Sequence, residues 1–132
     1  MRRGLQLVLD GEPDLTVVAQ AGSVTEARAL VREHKPHVLV LDLSMPGGSS
    51  LEAIPALRAE AADTQIVVLT MEDDPALVRA ARRAGALGYV LKEAADAELV
   101  DAVRRAAAGE RYLNRRLAAQ LIALRSAEQG WD

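Results

Sequence analysis

Four short apolar runs, residues 15–21, 37–42, 65–70 and 88–92, alternate with segments of helical periodicity along most of the chain. That alternation is the signature of a parallel sheet with crossover helices. Leu15–Ala21 reads as the first strand, broken by Gly22. Ser23 to Glu26 is a capping box, and Val24, Ala27, Leu30 and Val31 then form one apolar helix face. Pro36 stops that helix and residues 37–42 form the second strand. A helix over about 50–61 turns Leu51, Ile54 and Leu57 inward, and Pro55 should kink it or delay its start. Residues 65–70 make another buried strand. Asp73 or Asp74 caps a helix beginning near Pro75, a favourable first helical residue. Gly85 and Gly88 bracket the turn into the strand at 88–92. A helix at about 95–108 carries Leu99, Val103 and Ala106, and Gly109 ends it. These elements define a domain over 1–109. Residues 110–132 form a linker segment, with a peripheral helix at about 114–125 capped by Asn114 and striped by Leu117, Leu121 and Leu124. Residues 126–132, with Trp131, are expected to fray.

Composition narrows the function. A chain of 132 residues, 50% apolar, fits one domain with a real core. No run approaches a membrane span. The N-terminus begins like a signal peptide, but Asp10 interrupts its short apolar stretch. There is no cysteine, hence no thiolate metal site. His34 and His37 flank a helix-to-strand turn and read as surface residues, not a metal pair. Net charge is −3 with scattered basic residues, which is no nucleic-acid footprint.

The chemistry concentrates at strand ends. Val38 to Leu41 runs straight into Asp42, and a Pro/Gly-rich loop comes next. A carboxylate ending a buried strand is costly unless its charge is used, although an Asp that merely caps its own turn would look the same. In a parallel sheet the strand C-termini share one edge, where open α/β sheets place their ligands. That edge here carries Asp42, Thr70 and Lys92, with Tyr89 inside the last strand. Of 16 basic residues only Lys35 and Lys92 are lysines, so Lys92 suits a place needing a compact ammonium. An acid, a hydroxyl and an ammonium suit a phosphoryl group: the carboxylate attacks phosphorus and the others meet its oxygens.

The segments Val38–Ser50, Ile66–Thr70 and Gly85–Lys92, with Ala107–Asn114, resemble a bacterial two-component response-regulator receiver domain of the NarL/FixJ type. The resemblance implies a flavodoxin-like doubly wound α/β fold with strand order 2-1-3-4-5. It implies that Asp42 accepts a phosphoryl group from a sensor histidine kinase, that Thr70 and Lys92 bind that group, and that Tyr89 is a rotameric switch. The main-chain carbonyl of Ser44, with Asp42, would be a Mg²⁺ ligand. It also implies a cytoplasmic, non-enzymatic, dimerising module of transcription regulation, with DNA bound only through a domain outside this chain. One helix in 114–132 is too little for a helix-turn-helix.

Two features depart from that pattern. Glu93 comes after Lys92 where many receivers have proline, so no cis peptide bond is expected. More seriously, receivers begin with a buried strand ending in an acidic pair that holds Mg²⁺. Here Arg2–Glu12 matches the helix after that strand, with Leu5, Val8 and Leu9 as its apolar stripe. Glu72, Asp73 and Asp74 read as loop and cap acids rather than replacements. The fold is therefore expected to lack its first strand, between the runs at 15–21 and 37–42. Those runs then pair directly, accept a partner chain's strand, or leave residues 1–22 loose; exposed strand edges predict an oligomer. Mg²⁺ binding is expected to be weak or absent, since Asp42 and one carbonyl are too few ligands. The alternative is a pseudo-receiver, an interaction module that uses no phosphate. An unrelated α/β enzyme with an Asp42 nucleophile lacks a Gly-rich nucleotide loop and a second acid two residues beyond Asp42.

Overall fold

The computed structural model describes residues 2–44 and 49–129. Its elements run α1 (Arg2–Asp10), α2 (Val24–His34), β1 (Val38–Asp42), α3 (Ser50–Glu60), β2 (Gln65–Thr70), α4 (Pro75–Ala84), β3 (Gly88–Leu91), a 3₁₀ turn (Lys92–Ala94), α5 (Ala95–Ala107) and α6 (Arg115–Gln129). The strands form one parallel sheet in the order β1-β2-β3.

Helices cover both faces of the sheet, which is why its strands are almost continuously apolar. Ile66 and Val68 of β2 point to one side, into a core with Leu41, Ile54, Val78 and Tyr89. Val67 and Leu69 point to the other, against Leu99, Ala102 and Val103 of α5. This is a doubly wound α/β architecture.

Local chemistry sets the helix ends. Ser23 Oγ accepts from the Glu26 N–H at 3.1 Å, and the Glu26 carboxylate reaches back to the Gly22 N–H at 2.6 Å. Asp74, not Asp73, caps α4 and accepts from the Ala76 N–H at 2.9 Å, with Pro75 at the first helical position. Gly85 ends α4 with φ 125°, and a Cβ there would sit 2.8 Å from Arg58 Cγ. Pro55 lies inside α3 without delaying its start, because Ser49 caps the helix and accepts from the Glu52 N–H at 3.2 Å.

Three expectations need correction. Leu15–Ala21 is not a strand: among the described residues it has no ladder partner. Its residues still alternate between half-buried and exposed, as extended backbone does. The strand needs a neighbour to exist, and β1, the nearest candidate, stands across a groove. Second, α6 is not peripheral. Leu117 and Leu121 are buried in the core cluster that holds Val78 and Ala81 of α4. Third, α6 runs to Gln129, beyond the expected end near 125. Trp131 and the loop residues Met45 to Gly48 lie outside the described residues, as does the side chain of Leu5.

Asn114 caps α6, its Oδ1 accepting from the Leu117 N–H at 2.8 Å. Asn114→Ala is expected to cost about 1 kcal/mol of stability in urea unfolding. No loss of stability would mean that α6 does not fold with the rest.

Candidate functional site

β1 delivers Asp42 to the C-terminal edge of the sheet, and β3 delivers Lys92 just past its own end. The Lys92 ammonium stands 2.9 Å from Asp42 Oδ2. Oδ1 accepts from the Ser44 N–H at 2.8 Å and from the Ser44 hydroxyl at 2.7 Å. Lys92 also donates to Ser44 Oγ at 2.8 Å, so the three side chains close a ring. Ser50 anchors the strand end by donating to the Asp42 carbonyl at 2.8 Å.

The Lys92 side chain is 12% exposed and that of Asp42 31% exposed, so the ammonium is pinned while the carboxylate stays reachable. Burial pushes the Asp42 carboxyl up. The hydrogen bonds from Lys92 and Ser44 outweigh it and hold the group below the ordinary carboxylate value. Asp42 is therefore ionised at neutral pH.

That shift has a sign. A carboxyl with a depressed folded-state pKa adds stability above its unfolded value, and the contribution fades as pH falls through the folded value. Lys92→Met is expected to raise the Asp42 pKa, read from its carboxyl-carbon shift by NMR. The same variant should lose less stability between about pH 5 and pH 2 than the parent chain. An unmoved Asp42 titration would contradict this account of the pair.

Thr70 ends β2 on the same edge of the sheet, and Tyr89 lies within β3. Thr70 is buried, and its hydroxyl accepts from the Glu72 N–H at 3.2 Å. Tyr89 is buried too, and its hydroxyl donates to the Glu72 carbonyl at 2.9 Å. Burial, with Glu72 and Asp74 nearby, pushes the phenol pKa up, so Tyr89 remains a neutral donor. Thus Asp42 and Lys92 touch, while Thr70 and Tyr89 are tied to the loop after β2. Asp73 faces Arg116 of α6 at 3.6 Å, which fits its reading as a loop acid.

Ser44 does more than the sequence reading assigns to it. The family resemblance singles out its carbonyl alone, yet its hydroxyl and N–H hold the carboxylate. The sequence signal for this is local: an Asp with a backbone donor two residues later forms an Asx turn. The turn-capping hydrogen bonds fall on Oδ1 and the Lys92 ion pair on Oδ2.

Among the described residues, the groups around Asp42 do not fit a hard dication. Mg²⁺ demands several oxygen ligands in near-octahedral array. Both Asp42 oxygens already accept hydrogen bonds, one from an ammonium. Among the described residues no group of three or more His, Cys, Asp or Glu side chains converges.

Fold and edge together define an α/β signalling receiver, with an ionised aspartate held by a lysine from beyond the last strand. The chain belongs to the response regulator receiver domain family, whose profile matches residues 1–104. It is 41% identical over 123 residues to the oxygen regulatory protein NreC of Staphylococcus epidermidis, covering 92% of this chain and 56% of that protein. The chain thus spans little more than half of that relative's length. A LuxR-family two-component response regulator from Aurantimonas sp. SI85-9A1 superposes with TM-score 0.88 at 35% identity, over 94% of this chain and 89% of that one. The receiver domain of the putative response regulator NarL from Mycobacterium tuberculosis gives TM-score 0.78 at 32% identity, over 83% and 88%. Domains of this family are in general signalling modules, not enzymes, and in general use Mg²⁺ for phosphorylation. Among the described residues no helix is long and apolar enough to cross a membrane.

Proposed function

We propose that this chain is the receiver module of a two-component regulator and that Asp42 is its phosphoacceptor. One observation carries the reading: an ionised, reachable carboxylate sits at the sheet's C-terminal edge with the Lys92 ammonium at 2.9 Å. The donor is the phosphohistidine of a sensor histidine kinase. An Asp42 oxygen attacks phosphorus, a P–O bond forms and the P–N bond breaks. The electron pair leaves on the imidazole nitrogen, which is then protonated from solvent. The Lys92 ammonium and the Thr70 hydroxyl neutralise the phosphoryl oxygens. Thr70 and Tyr89 meet at the backbone of Glu72, so drawing Thr70 toward a phosphoryl group disturbs the anchor of the Tyr89 hydroxyl. That repacks the face around β3 and biases homodimerisation, with a DNA-binding output carried outside this chain.

A second reading, a phosphate-independent interaction module, is favoured by the poor fit of the site to Mg²⁺. Incubation with phosphoramidate, with and without Mg²⁺, followed by intact mass, separates the two. Slow gain of one phosphoryl group is expected, little affected by Mg²⁺ and absent in Asp42→Asn. Prompt, stoichiometric, Mg²⁺-dependent gain would refute the account of the metal site. No gain under any condition would favour the interaction module.

A further inference from the structure

At the start of β3, the end of that strand away from Lys92, lies a cavity of about 240 Å³. Local chain chemistry builds its walls. Gly85 ends α4, and the chain turns through Ala86 and Leu87 into β3. Residues 111–113 run alongside, pinned by backbone hydrogen bonds: the Tyr89 N–H donates to the Tyr112 carbonyl, and the Tyr112 N–H to that of Leu87. Ala81, Ala86, Leu87 and Leu113 give the cavity an apolar lining. Arg82, from the last turn of α4, and Arg111 stand at the same cavity. Asp42, Thr70 and Lys92 do not line it.

These arginines lack a counter-charge. Arg82 is partly buried, while Arg111 and Arg125 of α6 are exposed. Burial and the positive charges of Arg111 and Arg125 push the Arg82 pKa down, and no acid among the described residues offsets them. Elsewhere arginines are paired: Arg28 with Glu60, Arg104 with Glu12 and Asp14, Arg105 with Asp101 and Arg116 with Asp73. Among the described residues no carboxylate pairs with Arg82, Arg111 or Arg125. The last turn of a helix favours a cation, which accounts for Arg82 alone and not for two more gathered about it. Like charges around a partly buried site cost stability until an anion joins them.

The cavity's chemistry selects its occupant. A guanidinium fork matches two oxygens of a phosphate or a carboxylate. Three cations exceed what one carboxylate neutralises, and suit the nearly double charge of a phosphomonoester at neutral pH. The volume falls below the roughly 300 Å³ at which pockets for drug-sized ligands begin, so the ligand is small. We propose that this cavity binds a small phosphomonoester. Its phosphate lies between the Arg82 and Arg111 guanidiniums, and its carbon body lies against Ala81, Ala86, Leu87 and Leu113. Arg125 adds charge from α6. The bound molecule would bridge α4 to the segment that leads into α6.

The test titrates the full chain with phenyl phosphate and follows backbone and arginine side-chain NMR signals. Saturable shifts are expected at the Arg82 and Arg111 guanidiniums and at the Leu87, Gly88 and Leu113 amides. Benzoate, with the same ring and a single charge, and inorganic phosphate, with no carbon body, should each bind more weakly. Arg82→Gln and Arg111→Gln should each weaken phenyl phosphate by roughly tenfold or more, as loss of hydrogen bonds to a charged group does. Arg111 is exposed, so its substitution tests the site without disturbing the core. Equal affinity for benzoate would overturn the assignment to phosphate, and equal affinity for inorganic phosphate the assignment to an ester. Shifts confined to Thr70 and Lys92 would place the anion at the Asp42 edge and overturn the proposal. So would the absence of saturable shifts, or an affinity unchanged in both arginine variants.

Discussion

Leu117→Ala will destabilise the protein by about 3 kcal/mol, as large-to-small changes at fully buried leucines do. Leu117 is 0% exposed, in one cluster with Val78, Ala81 and Leu121. Truncation removes apolar atoms from water-free contact and leaves a void that two helices on a rigid sheet cannot close. Ile122, the next turn's outward residue, is 64% exposed, and its change to Ala should stay within about 0.5 kcal/mol. Equilibrium unfolding in urea measures both. If Leu117→Ala behaved like Ile122→Ala, α6 would be an appendage and not part of the receiver core.

The second large effect falls on the site. Lys92→Met will slow phosphoryl transfer to Asp42 from phosphoramidate, by roughly thirtyfold. Two opposed effects decide that figure. Losing the ammonium frees the carboxylate from its ground-state partner, which speeds attack by about 1 kcal/mol for a partly exposed pair. It also removes a fixed donor from the developing phosphoryl charge, and losses of that kind cost about 3 kcal/mol. The second wins, leaving about 2 kcal/mol, or roughly thirtyfold. Lys92→Arg keeps the charge but presents a longer, planar head and should recover only part of the rate. The readout is the rate of intact-mass gain, with thermal melting to show that each variant is folded. A rate equal to or above the parent's would mean that Lys92 serves only to restrain Asp42.

Much of this is legible from residue order. Asp42 can be placed at a strand end because Val38 to Leu41 has the length and branching of a strand and a Pro/Gly-rich run, a turn signal, comes after it in the sequence. Lys92 can be placed beside it because parallel strands end on one edge. Caps at Ser23, Asp74 and Asn114 are local hydrogen bonds, decided within four residues of sequence. Ser44 is half legible: its turn is local, but its bridge to Lys92 spans a sequence separation of 48. Leu15–Ala21 misleads because its pattern is that of a strand.

The sequence by itself determined which segments are helical, which are extended, and which three strands carry an acid, a hydroxyl and an ammonium to their ends. These depend on side-chain period, capping and turn chemistry, all short-range. Only the tertiary structure decided that Leu15–Ala21 joins no ladder among the described residues, that β1 pairs on one side alone among them, and that α6 completes the core. Strand pairing and helix docking are contacts between distant segments, fixed by what space the packed elements leave. A strand's pattern specifies a conformation, but its ladder depends on a neighbour that the pattern does not name.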